Sequence, residues 1–299
     1  MKIYSEFNNQ ENLVVILGFF DGIHQGHKAV IQTAINYAKK NSLKTALVTF
    51  KDAPVVFFNK KEPKYILTKS EKEKKIENLG VDFLYELKFD ENLANVTASQ
   101  YLKILIENLH PQAIVTGYNH YFGYNKSGNV DYLRLMQKEY GYEFIEVAPL
   151  NVKDGVVSSS KIREALKEGN IKRANSMLGY RFYIENEVIK GVQIGRSIGS
   201  KTANLLFPND VMEISNGVYA VEVVIDKNKY MGIANYGSKP TIKDDDKKLL
   251  EVHIINFDED IYGKFIKVSF LDKIRDEKRF NSLTQLKEQI TKDIECLDL

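Results

Sequence analysis

Leu13-Val14-Val15-Ile16-Leu17, running directly into Gly18-Phe19-Phe20-Asp21-Gly22-Ile23-His24-Gln25-Gly26-His27, leaves few folds open to this chain. The five apolar residues read as a strand buried on both faces, as in parallel sheets. From Lys28 to Lys40, Val30, Ile31, Ala34, Ile35 and Ala38 recur at helical spacing. Buried strand, glycine-rich turn and amphipathic helix together open a βαβ unit, and in open α/β sheets ligands bind at the carboxyl ends of the strands. Gly18, Gly22 and Gly26 permit close backbone approach. The helix start offers free N–H groups and a positive dipole end that suit phosphate. His24 and His27 can each donate to a phosphoryl oxygen. A glycine turn or a histidine taken singly is more often structural; the combination is what points to a site.

Strand and helix patterns go on alternating. Leu43 to Phe50, Val81 to Leu87, Ala113 to Thr116 and Glu143 to Val147 read as strands, with helices over Ser70 to Leu79, Thr97 to Leu109 and Asp131 to Tyr140. This predicts a doubly wound, mostly parallel sheet. After the last strand, Ser158, Ser159 and Ser160 precede a helical pattern carrying Lys161 and Arg163. Serine there is an ordinary N-cap; hydroxyls, free N–H groups and two cations converging on one point would equally hold a triphosphate. Between the two segments, Thr116-Gly117-Tyr118-Asn119-His120-Tyr121-Phe122-Gly123-Tyr124-Asn125 mixes aromatic faces with amides at a strand end. It reads either as a glycine-rich loop or as a seat for a flat heteroaromatic ligand.

His24-Gln25-Gly26-His27 resembles the HxGH signature of nucleotidylyltransferases, and the longer string resembles its version in bacterial FAD synthetases. Ser158-Ser159-Ser160-Lys161-Ile162-Arg163 is similar to the second superfamily signature, with Ser160 in a threonine position. Gly117 to Gly123 resembles the family's Gly-x-Asn-x-x-Phe-Gly. The resemblance implies ATP contacts by Gly18, Phe20, Asp21, Gly22, His24, Gly26, His27, Ser158, Ser159, Ser160 and Arg163, and flavin contacts by Asn119, Phe122 and Asn125. Thr49-Phe50-Lys51-Asp52-Ala53-Pro54 lacks a histidine that the family often carries there, so that phosphate contact is either absent or supplied by another group such as Lys51.

From Arg181 strand-like runs dominate: Phe182 to Ile189, Val218 to Ile225, Tyr230 to Ala234, Leu250 to Phe257 and Phe265 to Phe270, closed by an amphipathic helix over Leu283 to Ile294. Short turns between strands predict a small antiparallel barrel, and the change of pattern divides the chain into 1–179 and 180–299. Gly191 to Asn204 is a glycine-rich stretch in which Thr202 and Asn204 share a face if extended; a polar hairpin loop fits as well. It resembles the riboflavin kinase signature, with Ser200-Lys201 in place of Phe-Pro, and Asn216-Gly217, Asn235-Tyr236-Gly237, Glu251, Arg275 and Glu277 continue the likeness in order, with Lys239 in place of an arginine. Together the two likenesses span nearly the whole chain in the order of the bifunctional riboflavin kinase/FAD synthetase family. They imply a Rossmann-like nucleotidylyltransferase domain, then a riboflavin kinase-like barrel. ATP contacts in the second would come from Gly195, Arg196, Gly199, Lys201, Thr202 and Asn204, with Thr202 and Asn204 toward Mg²⁺, Glu251 as base, and Arg275 and Glu277 near the flavin. ATP, riboflavin and FMN would be the substrates.

The implied reactions suit the residues. An FMN phosphate, with a second pKa of about 6, needs no base, and the first site offers donors rather than one. A ribityl hydroxyl does need one, which Glu251 can supply. An adenylyltransferase without kinase activity, motivated by Ser200-Lys201, and a nucleotide- or flavin-binding module without turnover remain alternatives. Net charge is +2, which argues against a nucleic-acid or membrane partner. A single cysteine, Cys296, excludes a disulfide within the chain. No signal-peptide pattern opens the sequence, so the cytoplasm is the expected compartment; oligomeric state is left open.

Overall fold

The computed structural model describes residues 1–8, 12–59, 64–153, 155–190, 202–238 and 248–297. Its contacts divide the chain into two compact units, Met1–Ser159 and Ser160–Leu299. The change of sequence pattern at Gly179 falls later than this division, because two helices that follow Ser159 group with the strands of the second unit.

In the first unit the elements are β1 (Lys2–Tyr4), β2 (Leu13–Leu17), α1 (Gln25–Lys40), β3 (Lys44–Phe50), α2 (Pro54–Asn59), α3 (Lys69–Leu79), β4 (Phe83–Leu87), α4 (Glu91–Ala94), α5 (Ala98–Leu109), β5 (Pro111–Gly117), β6 (Tyr121–Phe122), β7 (Gly128–Asn129), α6 (Val130–Tyr140), β8 (Glu143–Val147), β9 (Asn151–Val152) and β10 (Gly155–Val156). Six strands form one parallel sheet in the order β1-β4-β3-β2-β5-β8. The predicted strands all appear, and β1 adds an edge that the polar N-terminus did not announce. Every residue of β2 is buried, which explains its unbroken apolar run. From β2 the chain builds outward through β3 and β4, then returns to β2's other side for β5. The topological switch therefore lies between β2 and β5, where such sheets bind ligands.

Helix ends are set locally. Thr68 and Glu71 form a capping box at α3, and Gly80 ends that helix in the left-handed conformation. Thr97 and Gln100 form a second box at α5. One core face of the sheet packs Leu13, Val15, Leu17, Val48, Tyr85 and Ile114 against Leu102, Leu105 and Leu109 of α5.

The second unit holds α7 (Ser159–Glu168), whose first residue belongs to the first unit, α8 (Ile171–Leu178), β11 (Tyr183–Ile189), β12 (Ala203–Leu206), β13 (Gly217–Ile225), β14 (Asn228–Ser238), β15 (Lys248–Ile254), β16 (Phe265–Arg275) and α9 (Leu283–Glu295). Its six strands close into an antiparallel barrel, β11-β12-β15-β14-β13-β16. Asp226 and Lys227, with φ of 46° and 73°, make the two-residue turn between β13 and β14 that matches strand twist. Ile290 and Ile294 of α9 pack on Val218, Ala220, Ile233 and Leu297.

One ion pair ties α9 to the barrel. Arg275 of β16 donates from Nε to Oδ1 of Asp293 at 2.9 Å and from Nη2 to Oδ2 at 2.8 Å. The Asp293 side chain is buried, at 2% exposure, and that of Arg275 is part-buried, at 14%. Removing one partner of such a pair strands the other charge. Asp293→Ala is therefore expected to lower stability in urea unfolding by about 3 kcal/mol, and Arg275→Met with Asp293→Leu to recover most of it. Equal unfolding of Asp293→Ala and the parent would show that α9 is held by its apolar face alone.

Candidate functional sites

The turn after β2 is strained and heavily braced. Phe20 and Ile23 have φ of 59° and 40°, values that large side chains adopt only when their surroundings dictate it. The bracing is visible. Buried Asp21 accepts from the Ile66 N–H at 2.9 Å through Oδ1. The Phe19 carbonyl accepts from Thr49 Oγ1 at 3.0 Å and from Lys72 Nζ at 2.8 Å.

The turn leads into α1 through His24. As N-cap residue, His24 accepts the His27 N–H at Nδ1, 3.2 Å away. The two imidazoles stack, centroids 3.5 Å apart and planes 16° from parallel. Gly26 makes this possible, since a Cβ there would meet the His24 ring at 3.1 Å. Burial pushes the His24 pKa down to about 4, against an opposing backbone hydrogen bond. Burial, then the positive charges of His24 and Lys72, hold His27 well below 6.5. Both rings are thus neutral at pH 7. A neutral imidazole that accepts at Nδ1 carries its proton on Nε2, so His24 has a donor to give. Ser159 joins the turn, its hydroxyl donating to the Asp21 carbonyl at 3.1 Å.

A cavity of about 610 Å³ opens at the strand ends beside this turn. Gly18, Phe20 and His27 line it from the β2 side. Gly117, Asn119, His120, Phe122 and Asn125 line it from the loop after β5, and Val48, Phe50, Phe58, Phe89 and Tyr101 supply further apolar wall. Its size and aromatic lining suit a flat ring system. The loop is pinned to the start of α5: the Tyr124 N–H donates to the Val96 carbonyl at 2.7 Å, and the Ala98 N–H donates to Ser127 Oγ at 3.3 Å. Gly123 lets it lie that close, since a Cβ there would stand 2.6 Å from the Ala98 nitrogen. Burial pushes His120 down to about 4.

In the barrel, Asn204 of β12, Glu251 of β15 and Asn235 of β14 are cross-strand partners, so their side chains share one face. Leu250 and Val252, pointing the other way, are buried. Asn204 is 4% exposed, and its Oδ1 has no hydrogen-bond partner among the described residues. Thr202 precedes β12 by one residue. Glu277 accepts from Asn216 Nδ2 at 3.2 Å through Oε2. Arg275 faces Asp293 as described, and its Nη1 donates to the Asp276 carbonyl at 3.0 Å.

The residues expected for the first site separate into groups. Gly18, Phe20, His27, Asn119, Phe122 and Asn125 meet at one cavity. Asp21, Gly22, His24 and Gly26 complete the turn beside it, with Ser159 bonded to that turn. Ser158 is the residue before Ser159; Ser160, Lys161 and Arg163 lie in the first turns of α7, in the second unit. Gly195, Arg196, Gly199, Ser200, Lys201 and Lys239 lie outside the described residues. Sequence reasoning did not single out Lys72, which reads as one more charge on a charged helix. It took Tyr101 only as part of an amphipathic helix, though it also lines the cavity.

Comparison with known proteins bears on both units. A family model described as FAD synthetase matches residues 6–161, and one described as riboflavin kinase matches residues 178–298. Proteins named bifunctional riboflavin kinase/FMN adenylyltransferase are similar over nearly the full length. That of Buchnera aphidicola subsp. Acyrthosiphon pisum is 37% identical, over 98% of this chain and 96% of the relative. Those of Bacillus subtilis (strain 168) and Escherichia coli (strain K12) are 37% and 33% identical, each over 95% of this chain and 91% of the relative. A crystal structure from Streptococcus pneumoniae, described as a macrolide-efflux protein, aligns with a TM-score of 0.89 at 34% identity, covering 98% of this chain and 97% of that one. Among the described residues of this chain, no helix is long and apolar enough to cross a membrane.

The neutral state of His24 has a consequence for stability. Its pKa is near 6.5 unfolded and about 4 folded, so between those values the unfolded chain binds more protons. The contribution is present above pH 6.5 and is lost as pH falls toward 4. His24→Asn keeps a capping oxygen and removes the titration. Between pH 7 and 5 the parent is expected to lose about 2 kcal/mol more than this variant, read from urea unfolding at each pH. Identical pH slopes would show that His24 is not buried neutral.

Proposed function

The chain belongs to the family of bifunctional riboflavin kinase/FMN adenylyltransferases, and from that premise we propose how its two units divide the work. The enzyme phosphorylates riboflavin to FMN and adenylylates FMN to FAD, with ATP as co-substrate in both steps. The first unit carries out adenylyl transfer and the barrel carries out phosphorylation. The observation that carries the assignment of the first site is the cavity at the sheet's switch point, which brings His27 and the β2 turn together with Asn119, Phe122 and Asn125.

At that site the N-terminus of α1, His24 and His27 receive the ATP triphosphate, and the cavity's aromatic wall receives the flavin ring. Ser158 and Ser159 are assigned to the same triphosphate on their motif. An oxygen of the FMN phosphate attacks the α-phosphorus, the bond to the β-phosphate oxygen breaks, and pyrophosphate leaves. The attacking phosphate is already anionic near neutrality. The protein's task is in-line positioning and charge stabilisation, and neutral imidazoles that donate without first losing a proton suit it.

In the barrel a ribityl hydroxyl attacks the γ-phosphorus and ADP leaves. Glu251 takes the hydroxyl proton, a role worth about 10²–10⁴-fold. Magnesium arriving with ATP fits Thr202 and Asn204: neutral oxygens suit a hard cation that keeps most of its ligands from phosphate and water, and the buried Asn204 Oδ1 lacks any other partner among the described residues. When bound, the ion offsets phosphate charge. We place the enzyme in the cytoplasm, where its substrates are small soluble metabolites. An adenylyltransferase alone and a binding module without turnover are the less favoured readings, since each half matches its own catalytic family.

Incubation with riboflavin, ATP and magnesium, followed by flavin separation, is expected to yield FMN and then FAD. His27→Ala should lower FAD formation by about 10²–10³-fold while FMN formation continues. Glu251→Gln should suppress FMN formation by about 10²–10⁴-fold while added FMN is still converted to FAD. Loss of both activities in either variant would contradict the division between units.

A further inference from the structure

Of the four lysines of α3, Lys69, Lys72, Lys74 and Lys75, only Lys72 is buried, at 9% exposure. An ammonium group out of water is costly unless a charge partner compensates it. Of the two buried carboxylates that act on it, Glu86 already meets Lys69 at 2.8 Å and Asp21 accepts from the Ile66 N–H. Lys72 instead donates to two uncharged oxygens, the Phe19 carbonyl at 2.8 Å and Thr49 Oγ1 at 3.2 Å. Its Nζ also stands 4.7 Å from the centre of the Phe19 ring. A methionine would fill the same space without stranding a charge, so packing alone does not account for lysine here.

Its location supplies an account. The Phe19 carbonyl it clamps lies between Gly18 and Phe20, both of which line the cavity, and directly before the positive-φ backbone at Phe20. Phe19 lines the cavity as well, whereas Lys72 is not among its lining residues; the ammonium is close enough to His27 to disfavour a second positive charge there.

We propose that Lys72 is a positioning residue for adenylyl transfer: a buried cation that clamps the Phe19 carbonyl, so that the β2 turn and His27 meet the ATP phosphates, and that offsets part of the phosphate charge. The proposal rests on the reading that this turn receives the triphosphate. The charges around Lys72 are Asp21 of the turn, Glu86 of β4, and Lys69 and Glu73 of its own helix. Burial pushes its pKa down to about 8, Glu86 and Asp21 oppose that and Lys69 adds to it, so the amine stays largely protonated at pH 7.

The test compares parent, Lys72→Met and Lys72→Arg in the full chain. FMN adenylylation is measured with ATP and FMN varied in turn, inorganic tripolyphosphate binding by calorimetry, and riboflavin phosphorylation in the same samples. Lys72→Met is expected to weaken tripolyphosphate binding and raise the KM for ATP about tenfold. It should lower kcat for FAD formation about 10²-fold, with the KM for FMN within about twofold and FMN formation unchanged. Lys72→Arg, which keeps the charge and a donor, is expected to recover part of both losses. If Lys72→Met does not fold, Thr49→Val, which removes one of the two oxygens holding the amine, should move kcat and the KM for ATP the same way by a smaller factor. Parental kcat and KM for ATP in the folded variants, even with a lowered melting temperature, would overturn the proposal and leave Lys72 as packing. Failure of the parent itself to bind ATP or tripolyphosphate would instead overturn the triphosphate reading of the turn.

Discussion

A helix that begins at a sheet's topological switch point presents backbone N–H groups with no partner inside the helix, and the first unit is arranged around that fact. Here α1 begins at such a point, and its entry is fixed before any ligand arrives. Asp21 holds Ile66, the Phe19 carbonyl is held twice, and the His24 ring both caps the helix and stacks on His27. The positive φ values at Phe20 and Ile23 are the local strain that this bracing sustains. Because both imidazoles are buried neutral, the site can offer donors to an anion without self-repulsion between two adjacent cations.

The two units meet different chemical demands with different scaffolds. An anionic nucleophile asks for alignment and donors, which a strand-end crevice in a parallel sheet provides through loops from β2 and β5. A neutral hydroxyl asks for a base, and a barrel strand can place one to within a side chain's reach. The β12-β15-β14 register puts Glu251 between Asn204 and Asn235 on one face.

Much of this could be read from the residues, and the exceptions have physical causes. The unbroken apolar β2 and the 3.6-residue spacing of α1 announce themselves, as do the glycines of the turn. β1 does not, because an edge strand of three residues, two of them exposed, carries no periodic signal. β14 is longer than its apolar run because it extends through the polar Asn228 and Lys229 at one end and Asn235 and Gly237 at the other; Gly232 within it is there because a Cβ would meet the His253 carbonyl oxygen at 2.6 Å. β16 runs on past Phe270 through Asp272 and Lys273, where bulges against β13 break the alternation. At the site, the motif residues were legible and the bracing was not. Lys72 sits in a run of charges that reads as a solvated helix face, and only the tertiary contact with Phe19 and Thr49 distinguishes it. The commitment of Arg275 to Asp293 likewise joins residues eighteen apart on a strand and a helix, and local sequence carries no mark of it.

The central claim is that two neutral imidazoles are set at the α1 N-terminus in advance of an anion. The measurement that reaches it most directly is nitrogen-15 NMR of the imidazole groups of His24 and His27 at pH 7, first in the free protein and then with ATP. The account predicts neutral rings in the free protein, with the His24 proton on Nε2, and, on ATP binding, a shift of both signals while the rings stay neutral. Imidazolium signals in the free protein, or signals that ATP leaves unmoved while FAD is being made, would contradict it.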